Sequence, residues 1–138
     1  MNPYARYRQQ DAPAPTRIDS LLSLFDAACE RIDEAAEAMT GADVQLARTL
    51  RTRARLVVLG LWSGVDIERG AGANEIVSLY QFAANALATG TLEDVRGAAD
   101  VLRTLREGFR GIREEAIELE RIGVIPPVDA ICAIHAVG

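Results

Sequence analysis

The side chains best suited to chemistry are few in this chain, and their spacing argues against a catalytic centre. General acid–base work needs a titratable group within hydrogen-bond reach of its substrate, and a metal needs converging donors. The one histidine, His135, lies near the end of the sequence, a poor anchor for a triad or a metal site. Cys29 and Cys132 are far apart and fit neither a zinc spacing nor a disulfide framework, so Cys29 reads as a small core residue. Glu114, Glu115, Glu118 and Glu120 fall on helical surface, and no carboxylate falls on an apolar stripe. The Glu-x-x-His pair that builds metal sites in helical bundles does not occur. The glycine-rich stretch "GVDIERGAGAN" follows no strand, and no Lys-Ser or Lys-Thr comes after it. It reads as a turn between helices rather than a phosphate cradle. The expectation is a protein that is not an enzyme and that uses no catalytic residue, cofactor or metal.

Recognition by charge is no better supported. The net charge of −5 disfavours nucleic acid or an anionic membrane as the main partner. Every basic residue is arginine. Arg48, Arg51, Arg53 and Arg55 cluster in sequence, but on a helix they spread around the cylinder and read as a solvated face. The longest apolar run, "LVVLGLW", is far short of the roughly 20 residues that cross a bilayer, so no membrane insertion is expected. The head is polar and lacks the apolar core of a signal peptide, which makes the cytoplasm the expected compartment.

The elements that position these residues are helical. With 49% hydrophobic and 25% charged residues the chain has globular composition, and its length suits one domain. The first helix follows "DAPAPT", with Thr16 and Asp19 at capping-box spacing and a stripe through Ile18, Leu21, Leu22, Phe25, Cys29, Ile32 and Met39. Gly41 ends it. The second starts at the N-cap Asp43 and buries Ala47, Leu50, Ala54, Val57, Val58, Leu61 and Val65. It also carries a second apolar set, Leu46, Leu56, Leu59 and Trp62. Such a helix is either covered on two sides or keeps one face for a partner. The third begins at a possible N-cap Asn74, packs through Ile76, Leu79, Tyr80, Ala83 and Leu87, and ends at Gly90 as its C′ residue. Thr91 and Asp94 open the fourth, whose stripe runs from Leu92 to Ala116 and could extend to Ile122. Its glycines Gly97, Gly108 and Gly111 cost roughly 1 kcal/mol each and mark either close helix contact or local softness. Pro126 and Pro127 stop helix formation, and the stretch from Val128 to Ile134 is too apolar for a solvated tail.

The expected fold is therefore all-α: an antiparallel up-down four-helix bundle over residues 16–122. A flexible amino-terminal segment, 1–15, precedes it. An apolar carboxy-terminal tail, 123–138, follows and packs on the bundle or on a neighbour.

Several stretches, taken in order, resemble the FliS-type flagellar export chaperones. The head "NPYARYRQQ" is similar to that family's amino terminus, Asn-Pro-Tyr, two residues, then Tyr-Gln. Leu24, Phe25 and Asp26 stand where members tend to have Leu-Tyr-Asp. In "VDIERGAGANEIVSLYQF", Asp66, Glu68, Gly70, Leu79, Tyr80 and Phe82 fit the family's central motif. Leu105, Arg106 and Phe109 resemble its closing Leu-Arg-x-x-Trp. The resemblance covers roughly residues 2–116. It departs at Ala71, which interrupts the glycine pair, at Phe25 and Phe109, which replace Tyr and Trp, and in the tail.

The resemblance implies a cytoplasmic, non-catalytic chaperone. It would bind the disordered carboxy-terminal segment of flagellin, prevent premature polymerisation and hand the client to the export apparatus. Leu56, Leu59 and Trp62, with Tyr80 and Phe82 on the neighbouring helix, form the expected groove. Tyr4 and Tyr7 would cover apolar surface on the bundle as a tethered cap. The alternative is a non-catalytic bundle whose surplus apolar face is an oligomer interface, for example of a homodimer.

Overall fold

A computed structural model describes residues 14–65 and 72–125. These form five helices and no strand: α1 (Arg17–Met39), α2 (Val44–Ser63), α3 (Ala73–Thr89), α4 (Leu92–Gly111) and α5 (Arg113–Arg121). α1 packs against α2 and α4, α3 packs against the same two helices, and α5 lies against α1. The core inside this ring holds Phe25, Ile32, Val58, Leu61, Tyr80, Leu87, Val95 and Leu102. Alanines 28, 35, 54, 83 and 98 are fully buried between them. Their small side chains let the helix backbones come close, while each large residue contributes about 1.5–3 kcal/mol of apolar burial.

The helix starts follow local chemistry. The Thr16 hydroxyl accepts the Asp19 amide at 3.3 Å, and Asp43 accepts the Leu46 amide at 3.0 Å. The reciprocal box expected at Thr16 is only half made, because the Asp19 carboxylate is taken by Arg113 at 2.6 and 2.9 Å. The complete box is at α4, where Thr91 and Asp94 exchange bonds of 2.9 and 3.2 Å.

Three boundaries differ from expectation. α3 starts from Gly72 rather than Asn74: a φ of 98° at Gly72 turns the chain into the helix and puts Ala73, rather than a cap, against the core. Gly90 ends α3 with an extended φ of −76°, not the left-handed one of a C′ glycine. Its requirement is space: a Cβ there would stand 2.7 Å from the Ala86 carbonyl oxygen and 2.9 Å from Asp94 Cβ. The fourth helix does not run on to Ile122. It breaks at Ile112, after Gly111, and α5 resumes in a new direction of packing against α1. Of the α4 glycines, Gly97 lies under Phe82, whose Cζ is 3.6 Å from the position of a Cβ, while Gly108 and Gly111 meet nothing.

α5 is attached differently from the rest. It buries no residue fully. Glu120 accepts the first helical amide of α1, Arg17 N–H, at 2.9 Å, and Arg113 grips Asp19. The segment with Tyr4 and Tyr7, the loop residues Asp66, Glu68 and Gly70, and the tail from Pro126 lie outside the described residues.

Candidate functional site

Three of the large apolar side chains exposed among the described residues, Val44, Leu46 and Leu56, lie on α2. Residues 45, 49, 52, 56 and 63 recur at helical spacing on the side away from Ala54, Val58 and Leu61, so they face solvent. Leu56 is 63% exposed and Val44 71% exposed. Leu59 and Trp62 are half-buried against the edge of the core.

Between α2 and α3 runs a groove of about 430 Å³, lined by Val44, Arg48, Thr52 and Leu56 on one side and Leu87 and Ala88 on the other. Its base is built by two arginines. Arg51 donates to the carbonyls of Leu87 (2.9 Å), Ala86 (2.9 Å) and Gly90 (2.8 Å). Arg55 donates to Ala84 at 3.2 Å. The last carbonyls of a helix have no partner within it, and a cation there also meets the negative end of the helix dipole. Arg51 therefore caps the end of α3 and Arg55 ties α2 to it further up, at Ala84, which corrects the expectation that the whole cluster is a solvated face. The sequence held no sign of this, because the acceptors are backbone atoms some 30 positions away.

The other residues expected in the groove are dispersed. Tyr80 is 1% exposed and sits in the core, its ring 6.3 Å from that of Phe25. Burial pushes its hydroxyl pKa up to about 12. Tyr80 thus supports the fold below its ordinary pKa of about 10, and that support is lost as pH rises towards the folded value. Phe82 is 42% exposed but covers Gly97 of α4, on the α3–α4 seam. Among the described residues, then, Leu56, Leu59 and Trp62 share α2, Phe82 lies on a separate seam, and Tyr80 is not at the surface.

A second groove, about 570 Å³, lies between α1 and α2. Leu46 and Leu50 meet a rim of Glu30, Asp33, Glu34 and Glu37 there. No polar or charged residue is buried among the described residues. Cys29 is buried, and its thiol pKa is raised by that burial, so it is a poor nucleophile.

Three stretches far apart in sequence meet in the core and at its edge. Phe109 of α4 stacks near Phe25 of α1, with ring centroids 5.4 Å apart. One residue along, Asp26 pairs with Arg106 and Arg110, each at 3.2 Å. Leu-Phe-Asp in α1, Tyr80 in α3 and Leu-Arg-x-x-Phe in α4 therefore form one aromatic and ionic clamp across three helices. The profile of a family described as Flagellar protein FliS matches residues 1–116, and that span contains every part of the clamp. The chain belongs to this family. No curated protein and no solved structure matches it. In this FliS-family chain the matched span ends inside α5, so the latter half of α5 and everything after it stand outside the match. No described helix is long and apolar enough to cross a membrane.

Proposed function

We propose that the protein is a cytoplasmic flagellar export chaperone that holds the disordered carboxy-terminal segment of flagellin, keeps it from polymerising early and delivers it to the export apparatus. The observation that carries this reading is the family match over residues 1–116, joined to an α2 whose outer face leaves Leu56 63% exposed. The client binds as short helices laid into apolar grooves, and wide apolar contact offsets its ordering entropy. Leu56, Leu59 and Trp62 on α2 and Phe82 on the α3–α4 seam are the contact residues, so the client wraps around α3 rather than filling one pocket. Tyr80 is left to the core. The four long helices run antiparallel, up and down, which places the two grooves side by side along α2. Tyr4 and Tyr7 cover part of this surface until the client displaces them, and the tail 123–138 packs on the bundle or on a neighbour.

Calorimetric titration with a peptide from the carboxy terminus of the cognate flagellin tests the proposal. Binding in the micromolar range, weakened by Leu56→Asp, supports it. Folded protein that gives no heat at high micromolar peptide refutes it. A stable dimer that buries Trp62 and takes no peptide establishes the interface reading in its place.

A further inference from the structure

α2 is the one strongly cationic helix among the described residues. Val44–Ser63 carries four arginines and no carboxylate, in a chain of net charge −5. Arg51 and Arg55 are turned onto α3 carbonyls, which leaves Arg48 and Arg53, both exposed. The ion pairs of the described residues all belong to arginines of α4 and α5. At about 3.6 residues per turn, Arg48 and Arg53 fall on opposite sides of Leu56. Between them runs an uncharged strip, Gln45, Thr49, Thr52, Leu56, Leu59 and Ser63, at alternating spacings of four and three. Helices seat one another at this spacing, with flanking charges selecting the partner; here the strip is small and polar around one exposed apolar side chain, Leu56.

We propose that this strip, with the groove it shares with α3, docks a helical segment that carries acidic residues on both sides of an apolar stripe. The inference rests on the reading of this face as a client surface and states which chemistry the docked segment must have. The apolar stripe covers Leu56 and the adjoining Leu59, and the acidic flanks meet Arg48 and Arg53. A second copy docked α2 against α2 would set these arginines against each other, which charge disfavours. A nucleic-acid strand would leave the exposed Leu56 uncovered.

The test uses the full chain and three designed amphipathic peptides with the same leucine stripe and flanks of Glu, Gln or Lys. The Glu peptide should bind about tenfold more tightly than the Gln peptide at low salt, and the Lys peptide should be weakest. The preference should vanish near about 1 M salt, where the Debye length is about 3 Å. Arg48→Glu with Arg53→Glu should reverse the order of the Glu and Lys peptides while the circular dichroism spectrum stays unchanged. Equal affinity for all three peptides, or no effect of the double variant, overturns the proposal. So does tighter binding of a single-stranded oligonucleotide, or self-association that Leu56→Asp abolishes. The flagellin peptide in the same assay separates the two readings. If it binds without regard to Arg48 and Arg53, the chaperone function stands and this inference falls. If it fails while the Glu peptide binds selectively, the inference stands and the client is another protein.

Discussion

Arginine secures both flanks of the bundle, but with different partners. On the α2–α3 flank, Arg51 and Arg55 donate to backbone carbonyls. On the flank where α4 and α5 meet α1, Arg103, Arg106, Arg110 and Arg113 pair with Asp33, Asp26 and Asp19. A carbonyl does not titrate, and a half-buried guanidinium on a helix terminus is poorly screened. A surface carboxylate titrates and is screened by salt. The lesson is that the groove wall beside Leu56 is built to hold its shape under changing conditions, whereas α5 is moored by contacts that conditions can loosen.

The largest expected effect would come from removing the carbonyl cap. Arg51→Ala takes the side-chain donor from three carbonyls, of which Ala86 keeps the Gly90 amide at 2.8 Å, and should cost about 1.5–3 kcal/mol in urea unfolding, with little change between weakly acidic and neutral pH. A loss that vanishes in salt would break the comparison, because it would put Arg51 in the screened class. Next, Gly90→Ala probes the same cap through its acceptors. A Cβ at 2.7 Å from the Ala86 oxygen forces the turn apart, at about 1–3 kcal/mol, and a neutral result would mean that the turn relaxes freely.

On the other flank the predictions concern local structure. Arg113 holds the Asp19 carboxyl below the usual carboxylate range. A lowered folded pKa gives stability that is present above the unfolded value and lost as pH falls through the folded one. The amide NMR shifts of α5 should therefore move towards coil values in acid below about pH 3.9, while those of α3 hold. Simultaneous loss of both would remove the distinction. The smallest effect is expected from Arg113→Ala: global unfolding unchanged, α5 shifts already displaced at neutral pH, and the Asp19 titration returned towards its ordinary value. An unmoved Asp19 titration would show that Thr16, not Arg113, sets it.

Much of this architecture could be read from the chain. The stripes through Phe25 and Ile32, Val58 and Leu61, Tyr80 and Leu87, and Val95 and Leu102 give four helices because period and burial agree. Caps at Thr16, Asp43 and Thr91 depend on a neighbour three residues away, so local sequence specifies them. The family was legible for the same reason, its motifs being short and ordered along the chain. Tyr80 was read twice, on the packing stripe of the third helix and in the groove, and its burial agrees with the first and corrects the second. In the core its ring meets that of Phe25, which comes from another helix.

What the sequence determined by itself is therefore what near neighbours control: helix content, the capped helix starts at Thr16, Asp43 and Thr91, and the apolar stripes. Tertiary structure decided which arginines bond to α3, which remain exposed beside Leu56, where α4 breaks, and that Phe82 and Leu56 lie on different seams. These outcomes depend on contacts between residues tens of positions apart. Backbone carbonyls, which every residue presents alike, were the acceptors that sequence could not mark.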